Sequence, residues 1–191
     1  MDANQFIPMP PELNIDAGSL DYAYELWFGK WPQGIGWLSE DREKAKRQFS
    51  RKFKGARKIA EQQKYNLEHH GSMNWYQWQT KHWDVKWGFC RAHRTIEPNR
   101  LIYEFDTAWG PSYTLMEKMS EMFPTLTFRL DHGGSEMGYQ GTTVFSAGKV
   151  ISEESQEIVL DDEMYNEGEE PQLEHEVVEM KTRYQNIQEM Q

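Results

Sequence analysis

NWYQWQTKHWDVKWGFCRAHRTIEPNRLIYEFDTAW, residues 74–109, carries five of the protein's eight tryptophans and sets out a short helix followed by two strands. Trp75, Trp78 and His82 recur at i, i+3 and i+7, one stripe at helical period. Two runs of period 2 follow. Val85, Trp87 and Phe89 alternate with Lys86, Gly88 and Cys90, and Leu101, Tyr103 and Phe105 alternate with Ile102, Glu104 and Asp106. Between the runs lies Glu97-Pro98-Asn99, where proline presets φ and asparagine tolerates unusual backbone, so the strands are expected to form a hairpin. Large rings bring the most apolar area per residue to a core, which predicts that both aromatic strand faces pack on the tryptophan stripe. The opposite faces carry Lys86, Gly88, Glu104 and Asp106. That surface reads as solvated and partly acidic, unlike the open aromatic platform of sheet-based RNA binders.

A chain of 191 residues can build one domain with a real core plus appendages. Its 38% hydrophobic and 14% aromatic content fits a compact aromatic core flanked by polar segments. The single Cys90 excludes an intrachain disulfide framework. No apolar run approaches the roughly 18 to 20 residues of a membrane span, and the N-terminus shows no basic and apolar signal region. A cytoplasmic protein with no membrane partner is expected.

Charge is segregated. From Ser152 to Gln191 there are thirteen acidic and two basic residues, a net of −11 out of the chain's −10, so the first 151 residues sum to +1. Within them, Arg42 to Lys58 holds nine basic residues against Glu43 alone. Such asymmetry points to a charged partner, or to attraction between the basic segment and the tail.

Outward from the hairpin, Phe6-Ile-Pro-Met-Pro-Pro-Glu-Leu13 carries prolines at 8, 10 and 11 and is expected to lie extended on the surface. Asp21–Phe28 reads as a two-turn helix with Tyr22, Leu26 and Trp27 together, ended by Gly29 and Pro32. Gln33-Gly-Ile-Gly36 lacks the remaining elements of a dinucleotide or phosphate loop and reads as a linker. A helix is predicted from the N-cap Ser39, with Glu40, Asp41 and Glu43 in its first turn, to His69-His70-Gly71. Its apolar stripe is Ala45, Phe49, Phe53, Ala56, Ala60 and Leu67, and Gly55 is a potential break. The basic face of this helix is open to three readings: a solvated surface, a contact for nucleic acid or an acidic protein, or a dock for the tail.

Beyond the hairpin, Pro111 opens a predicted helix with Leu115, Met119 and Met122 in one stripe widened by Met116 and Phe123, and Pro124 ends it. Leu126, Phe128 and Leu130 mark a third strand, Asp131–Gly141 a glycine-rich loop, and Thr142–Ile151 a fourth strand. Ser152–Glu170 reads as a flexible acidic linker. Leu173, Val177, Met180, Tyr184 and Ile187 repeat at 4, 3, 4 and 3, which predicts an amphipathic helix over 171–191 with Pro171 in its first turn. Two heptads are too short to stand alone. That helix is expected to dock on the stripe around Phe49 and Phe53, on the same helix of a second copy in a homodimer, or on a host protein. The resulting class is α+β, an antiparallel sheet with helices on one face, a long basic helix and an acidic helical tail. The domain is expected over 1–151, with inserted helices at 20–70.

Asn74-Trp-Tyr-Gln-Trp78, His82-Trp83, Lys86-Trp87, Phe105-Asp-Thr-Ala-Trp109-Gly-Pro111 and Met122-Phe-Pro124 resemble the YubB-like ferredoxin-like domain family of plasmid and phage accessory proteins. Phe6-Ile-Pro-Met-Pro resembles the segment that precedes its core. The resemblance covers residues 6–13 and about 72–150. It implies a ferredoxin-like fold and a mobile-element origin but supplies no catalytic residues. Family members usually begin with a strand ahead of the proline segment, and a ferredoxin-like sheet places its first strand centrally; that strand is absent here, so something else must fill the slot, and Thr142–Ile151 is the expected candidate.

Catalytic and metal chemistry find little support. Cys90 and His93 fall on opposite faces of a strand, and no Cys-x-x-Cys or His-Glu-x-x-His is present. Cys90 beside Arg91 and His93 reads as an inert thiol, and Asp106, Asp131 and Glu136 are unremarkable in so acidic a chain. No cofactor is expected. The sequence therefore points to a binding protein that inhibits a host factor or defence system in the host cytoplasm. Its expected contact residues are Arg42, Lys46, Arg47, Arg51, Lys52, Lys54, Arg57 and Lys58 on the basic helix, and Leu173, Val177, Met180 and Tyr184 on the tail. The alternative is a nucleic-acid binder using helix 42–58, with the tail as DNA mimic or autoinhibitor.

Overall fold

The computed structural model describes residues 1–30, 35–134, 139–157 and 175–182, with backbone alone at Gly134, Glu157 and His175–Thr182. The chain forms two compact units, one of Met9–Lys81 and one of Met1–Pro8 with His82–Gln191.

The Met9–Lys81 unit is helical: α1 (Tyr22–Trp27), α2 (Arg42–Lys52), α3 (Ala56–His70) and α4 (Trp75–His82). The basic helix is indeed parted at Gly55, whose φ of 78° suits glycine and caps α3. Gly71, also left-handed, ends α3 with its N–H on the Leu67 carbonyl at 3.1 Å. Ala23, Leu26, Ala45, Phe49, Ala56 and Ala60 form the core. Leu67, expected on the apolar stripe, is exposed, whereas Gln63 and Asn66 are fully buried. Gln63 accepts from the Tyr24 N–H and donates to the Leu20 carbonyl, both at 2.9 Å. Asn66 donates to the carbonyls of Glu12 (2.9 Å) and Met73 (3.0 Å). The proline segment is not simply extended: Pro11 opens a 3-10 turn, Pro11–Leu13, and Leu13 is fully buried. Proline is tolerated there because the first turn needs no N–H from it.

The second unit is built on a six-stranded antiparallel sheet. Its strands are β1 (Cys90–Glu97), β2 (Arg100–Asp106), β3 (Leu126–Gly134), β4 (Tyr139–Ser146), β5 (Lys149–Glu157) and β6 (His175–Thr182), in the order β1-β2-β6-β3-β4-β5. The helix α5 (Tyr113–Met122) joins β2 to β3. Its Met116 and Met119 pack with Phe105, Phe128, Leu130 and Phe145. The hairpin core is thus closed by α5 and not, as the sequence suggested, by Trp75 and Trp78, which lie in the other unit. Met122 and Phe123 are exposed. The N-terminus of α5 is fixed from the preceding loop, where the Asp84 carboxylate accepts from the Thr114 N–H at 2.7 Å and the Ser112 hydroxyl donates to the Trp83 carbonyl at 2.6 Å.

Three expectations are corrected here. Val85–Phe89 alternates inward and outward but is an irregular loop: Asp84 has φ 65°, and a Cβ on Gly88 would come within 2.6 Å of the Ala3 Cβ. Val85 is buried and Phe89 packs on Phe6 and Phe105, while Trp87 is 44% exposed with the Lys86 ammonium 4.5 Å from its ring centre. Thr142–Ile151 is not one strand but the end of β4, a tight turn at Ala147 and Gly148 (φ 49° and 75°), and the start of β5. The turn's paired positive φ values match the twist of a hairpin. β5 also takes Ser152–Glu157 out of the expected acidic linker; 158–170 lie outside the described residues.

The third correction concerns the tail. Residues 175–182, expected as helix, are strand β6, paired along its length with β2 and β3 (Tyr103 and Leu130 both level with Val178). Val177 and Met180 of the 4-3-4-3 series lie on this strand and form no helical seam; Leu173, Tyr184 and Ile187 lie outside the described residues. β2 and β3 run in one direction, linked through α5, with one strand's width between them. Without a strand there, two central rows of backbone groups would go unpaired, and the β-branched Val177-Val178 pair suits the role. β6, and not the expected Thr142–Ile151, which lies on β4 and β5, fills the central slot that a ferredoxin-like sheet gives to its first strand.

Deleting residues 175–191 should abolish cooperative unfolding or lower the melting temperature by more than about 10 °C, read by near-ultraviolet circular dichroism. A truncated chain that melts like the parent would refute the central position of β6. Trp78, only 5% exposed, should cost about 3 to 5 kcal/mol when replaced by alanine. Trp87→Ala should cost well under half of that, and chemical denaturation of both variants checks the order.

Candidate functional site

α2 carries the densest cationic surface. Its start is set by Asp41, whose carboxylate accepts from the Lys44 N–H at 2.8 Å; the expected cap Ser39 lies two residues outside, accepting from the Asp41 N–H at 3.2 Å. Inward, α2 presents Ala45 and Phe49. Phe49 is enclosed by rings: Trp37 stacks on it at 5.9 Å and 17°, Phe53 lies at 4.7 Å, and Trp27 meets it edge-on at 6.3 Å. Outward lie the cations, and they divide by what they touch.

Arg42 is structural. Its guanidinium donates to the carbonyls of Leu26 (2.8 Å), Glu25 (3.0 Å) and Gly29 (3.1 Å), satisfying the end of α1. Lys46 pairs with Glu43 at 2.7 Å, and Arg57 with Glu61 at 3.0 Å. The Lys52 ammonium sits 4.4 Å from the Trp37 ring centre, and that indole is 42% exposed. Arg47 and Arg51, one helical turn apart, line a cleft of about 330 Å³ with Trp27, Glu43, Lys46 and Ser50. Arg47, Arg51, Lys54 and Lys58 are exposed and make no ion pair with a described residue. The structure thus gathers Lys46, Arg47, Arg51 and Lys52 on one helix. It assigns Arg42 to the fold, and sets Lys54, Arg57 and Lys58 beyond or at the Gly55 break. Val177 and Met180 belong to the sheet. Trp37 was missed in the sequence. It packs on Phe49 and Phe53 toward the far end of α2, twelve and sixteen residues on, a contact that no local pattern signals.

A second feature is polar and buried. His132 on β3 is 7% exposed, its Nε2 3.1 Å from the Tyr113 hydroxyl, between the rings of Tyr113 and Tyr139. A Cβ on Gly141 would come within 2.8 Å of the imidazole, so glycine is required there. The His132 Nδ1 and the Thr143 hydroxyl find no partner among the described residues. Alongside, a cavity of about 550 Å³ is lined by Asp131, Gly133, Gln140, Thr142, Glu154 and Gln156 among others. Asp131 there is held by Arg129 at 2.8 Å and by the Thr142 hydroxyl. The sequence signal for this pocket is weak, because its members are spread over β3, β4 and β5. The Cys90 thiol is pushed up by burial and by Asp106, with Arg91 opposing, and stays protonated. Among the described residues no three His, Cys, Asp or Glu side chains converge as a metal site, and no helix is long and apolar enough to cross a membrane.

Burial holds the His132 imidazole below the usual histidine value of 6.5, against the opposing pull of Glu153 and Asp131. Below that value the unfolded chain takes up a proton there that the folded chain refuses, so this contribution to stability is full above it and falls as pH drops through it. The urea midpoint should therefore fall between about pH 7.5 and about pH 5.5, with a shallower fall in His132→Gln. An equal slope in the two proteins would overturn the assignment.

Residues 82–176 match the family model described as a ferredoxin-like domain in Api92-like protein. No curated protein and no solved structure matches the chain. The matched segment runs from the end of α4 to the first two residues of β6, so it takes in β1 to β5 and α5 but neither most of β6 nor the cationic helix. Residues 82–176 are a ferredoxin-like domain, similar to that of Api92-like proteins.

Proposed function

We propose that this chain is a mobile-element accessory protein that acts by binding, engaging an acidic patch on a host protein through the outer face of α2 and inhibiting that factor in the host cytoplasm. The mobile-element setting rests on the resemblance of its aromatic motifs. The binding mode rests on one observation: Arg47, Arg51, Lys54 and Lys58 stay exposed and without an ion pair among the described residues, while neighbouring Arg42, Lys46 and Arg57 are engaged internally. The chain's overall charge of −10 disfavours a long polyanion that would lie along several of its surfaces. A local cationic patch is felt only within about a Debye length, roughly 8 Å at physiological salt. This favours a discrete acidic protein surface over extended nucleic acid.

The nucleic-acid reading keeps one observation of its own, the exposed Trp37 indole beside Lys52, which is the pairing of stacking ring and cation used on single strands.

A double Arg47→Glu, Arg51→Glu variant should fold normally and lose at least about tenfold in affinity, chiefly through slower association. The measurement is recovery of a stoichiometric host partner by the parent and its loss with the variant. Oligonucleotide binding that falls steeply with salt and is lost in Trp37→Ala would instead favour the nucleic-acid reading.

A further inference from the structure

The two outer strands of the sheet, β1 and β5, carry opposite charge. Every residue from Arg91 to Ile96 on β1 and from Lys149 to Gln156 on β5 is exposed. β1 presents Arg91, His93 and Arg94, and β5 presents Glu153 and Glu154. Both also show apolar side chains that a guarded edge normally hides: Ile96 is 70% exposed, Val150 43% and Ile151 52%. Two copies meeting β1 to β1 would oppose cations, and two meeting β5 to β5 would oppose carboxylates. The charges that forbid like-edge pairing favour unlike-edge pairing.

We infer that β1 of one copy adds antiparallel to β5 of a second copy, continuing the sheet from molecule to molecule. The register follows from the strands themselves. Glu97 and Arg100 close a two-residue hairpin, so alternation along the pair turns the backbone groups of Arg94 and Ile96 outward. On β5, Thr142 is level with Glu154 and Val144 with Ser152, which leaves Glu153 between them facing out, while Ile151 is the extra residue of a bulge and pairs with none on β4. Setting Arg94 against Glu153 places Thr95 against Ser152 and His93 against Glu154, and brings Ile96 to the bulge that carries Ile151. A cation meets a carboxylate at the centre of the contact, with a histidine and a second carboxylate beside it. The faces agree as well. Arg94 is level with Tyr103, and Glu153 with Thr143, both on the side covered by α5; a joined sheet keeps its helices on one side. All neighbours in the sheet are antiparallel, with β1 and β5 running oppositely, so translation of one copy onto the next preserves the alternation. Such a contact is head-to-tail and does not close on itself in a pair.

Sedimentation equilibrium of the full chain tests this. The parent's average mass should rise above the monomer with concentration and fall back with added salt. Arg94→Glu and Glu153→Arg should each remain monomeric while melting like the parent, and an equimolar mixture of the two should regain the parent's association, since each then offers a complementary edge. The Arg47→Glu, Arg51→Glu variant should self-associate like the parent, which separates this contact from the α2 surface. A parent that stays monomeric at every concentration, single variants that associate like it, or a mixture that fails to regain association would each overturn the inference. So would a monomeric parent that captures a synthetic acidic strand peptide, which would give the β1 edge to a different protein.

Discussion

Backbone pairing at the centre of the sheet is the constraint on which the second unit depends. β2 and β3 are joined by α5 and run in the same direction, with room for one strand between them. Strands sit about 4.8 Å apart, so that gap is too wide for β2 and β3 to bond one another. The segment that fills it is the last of the described strands, paired with β3 over all eight residues and with β2 over residues 176–181. Glu157 and His175 end and begin their strands at the same end of the sheet, both near the level of Gly133 and Gly134. The seventeen residues between them need to span only three strand widths. A ferredoxin-like arrangement is therefore kept although the element in its central position comes from the opposite end of the sequence.

Much of this was legible. The hairpin around Pro98, the two-turn helix near Leu26, the break at Gly55 and the stop at Gly71 all follow from local chemistry that survives in the fold. What failed was arbitration between equal patterns. The tail's apolar residues fit helical spacing, yet over 175–182 an empty pair of strand edges outweighed that periodicity, and nothing local to the tail encodes those edges. Val85–Phe89 failed differently. Its alternation is real, but Asp84 is needed at the start of α5 and Gly88 at a close approach to Ala3, and these contacts bend the chain.

The candidate site was legible as a helix face but not as a set of residues. Spacing alone counts nine cations as equals. In the structure their roles are set by neighbours distant in sequence: Arg42 serves carbonyls on α1, and Lys52 lies over Trp37. An exposed ion pair such as Arg57–Glu61 contributes little to stability, but it lowers the charge available to a partner. The useful quantity is the charge left after internal pairing, and only a structure reveals it.

The helical unit shows why that charge can remain outside. Its apolar core is small, with four alanines among six members, and so small a core leaves little area to hold α1, α3 and the proline segment together. Two buried amides bridge them. Gln63 ties α3 to the backbone at Leu20 and Tyr24, and Asn66 ties it to Glu12 and Met73. Because each amide meets backbone groups in a dry interior, losing one would strand its partners without a hydrogen bond, so these bonds specify the arrangement as much as the rings around Phe49 do. Integrity is thus secured from α3 and from Phe49, both on the inner side. The outer face of α2 is released from any packing duty and is free to carry charge.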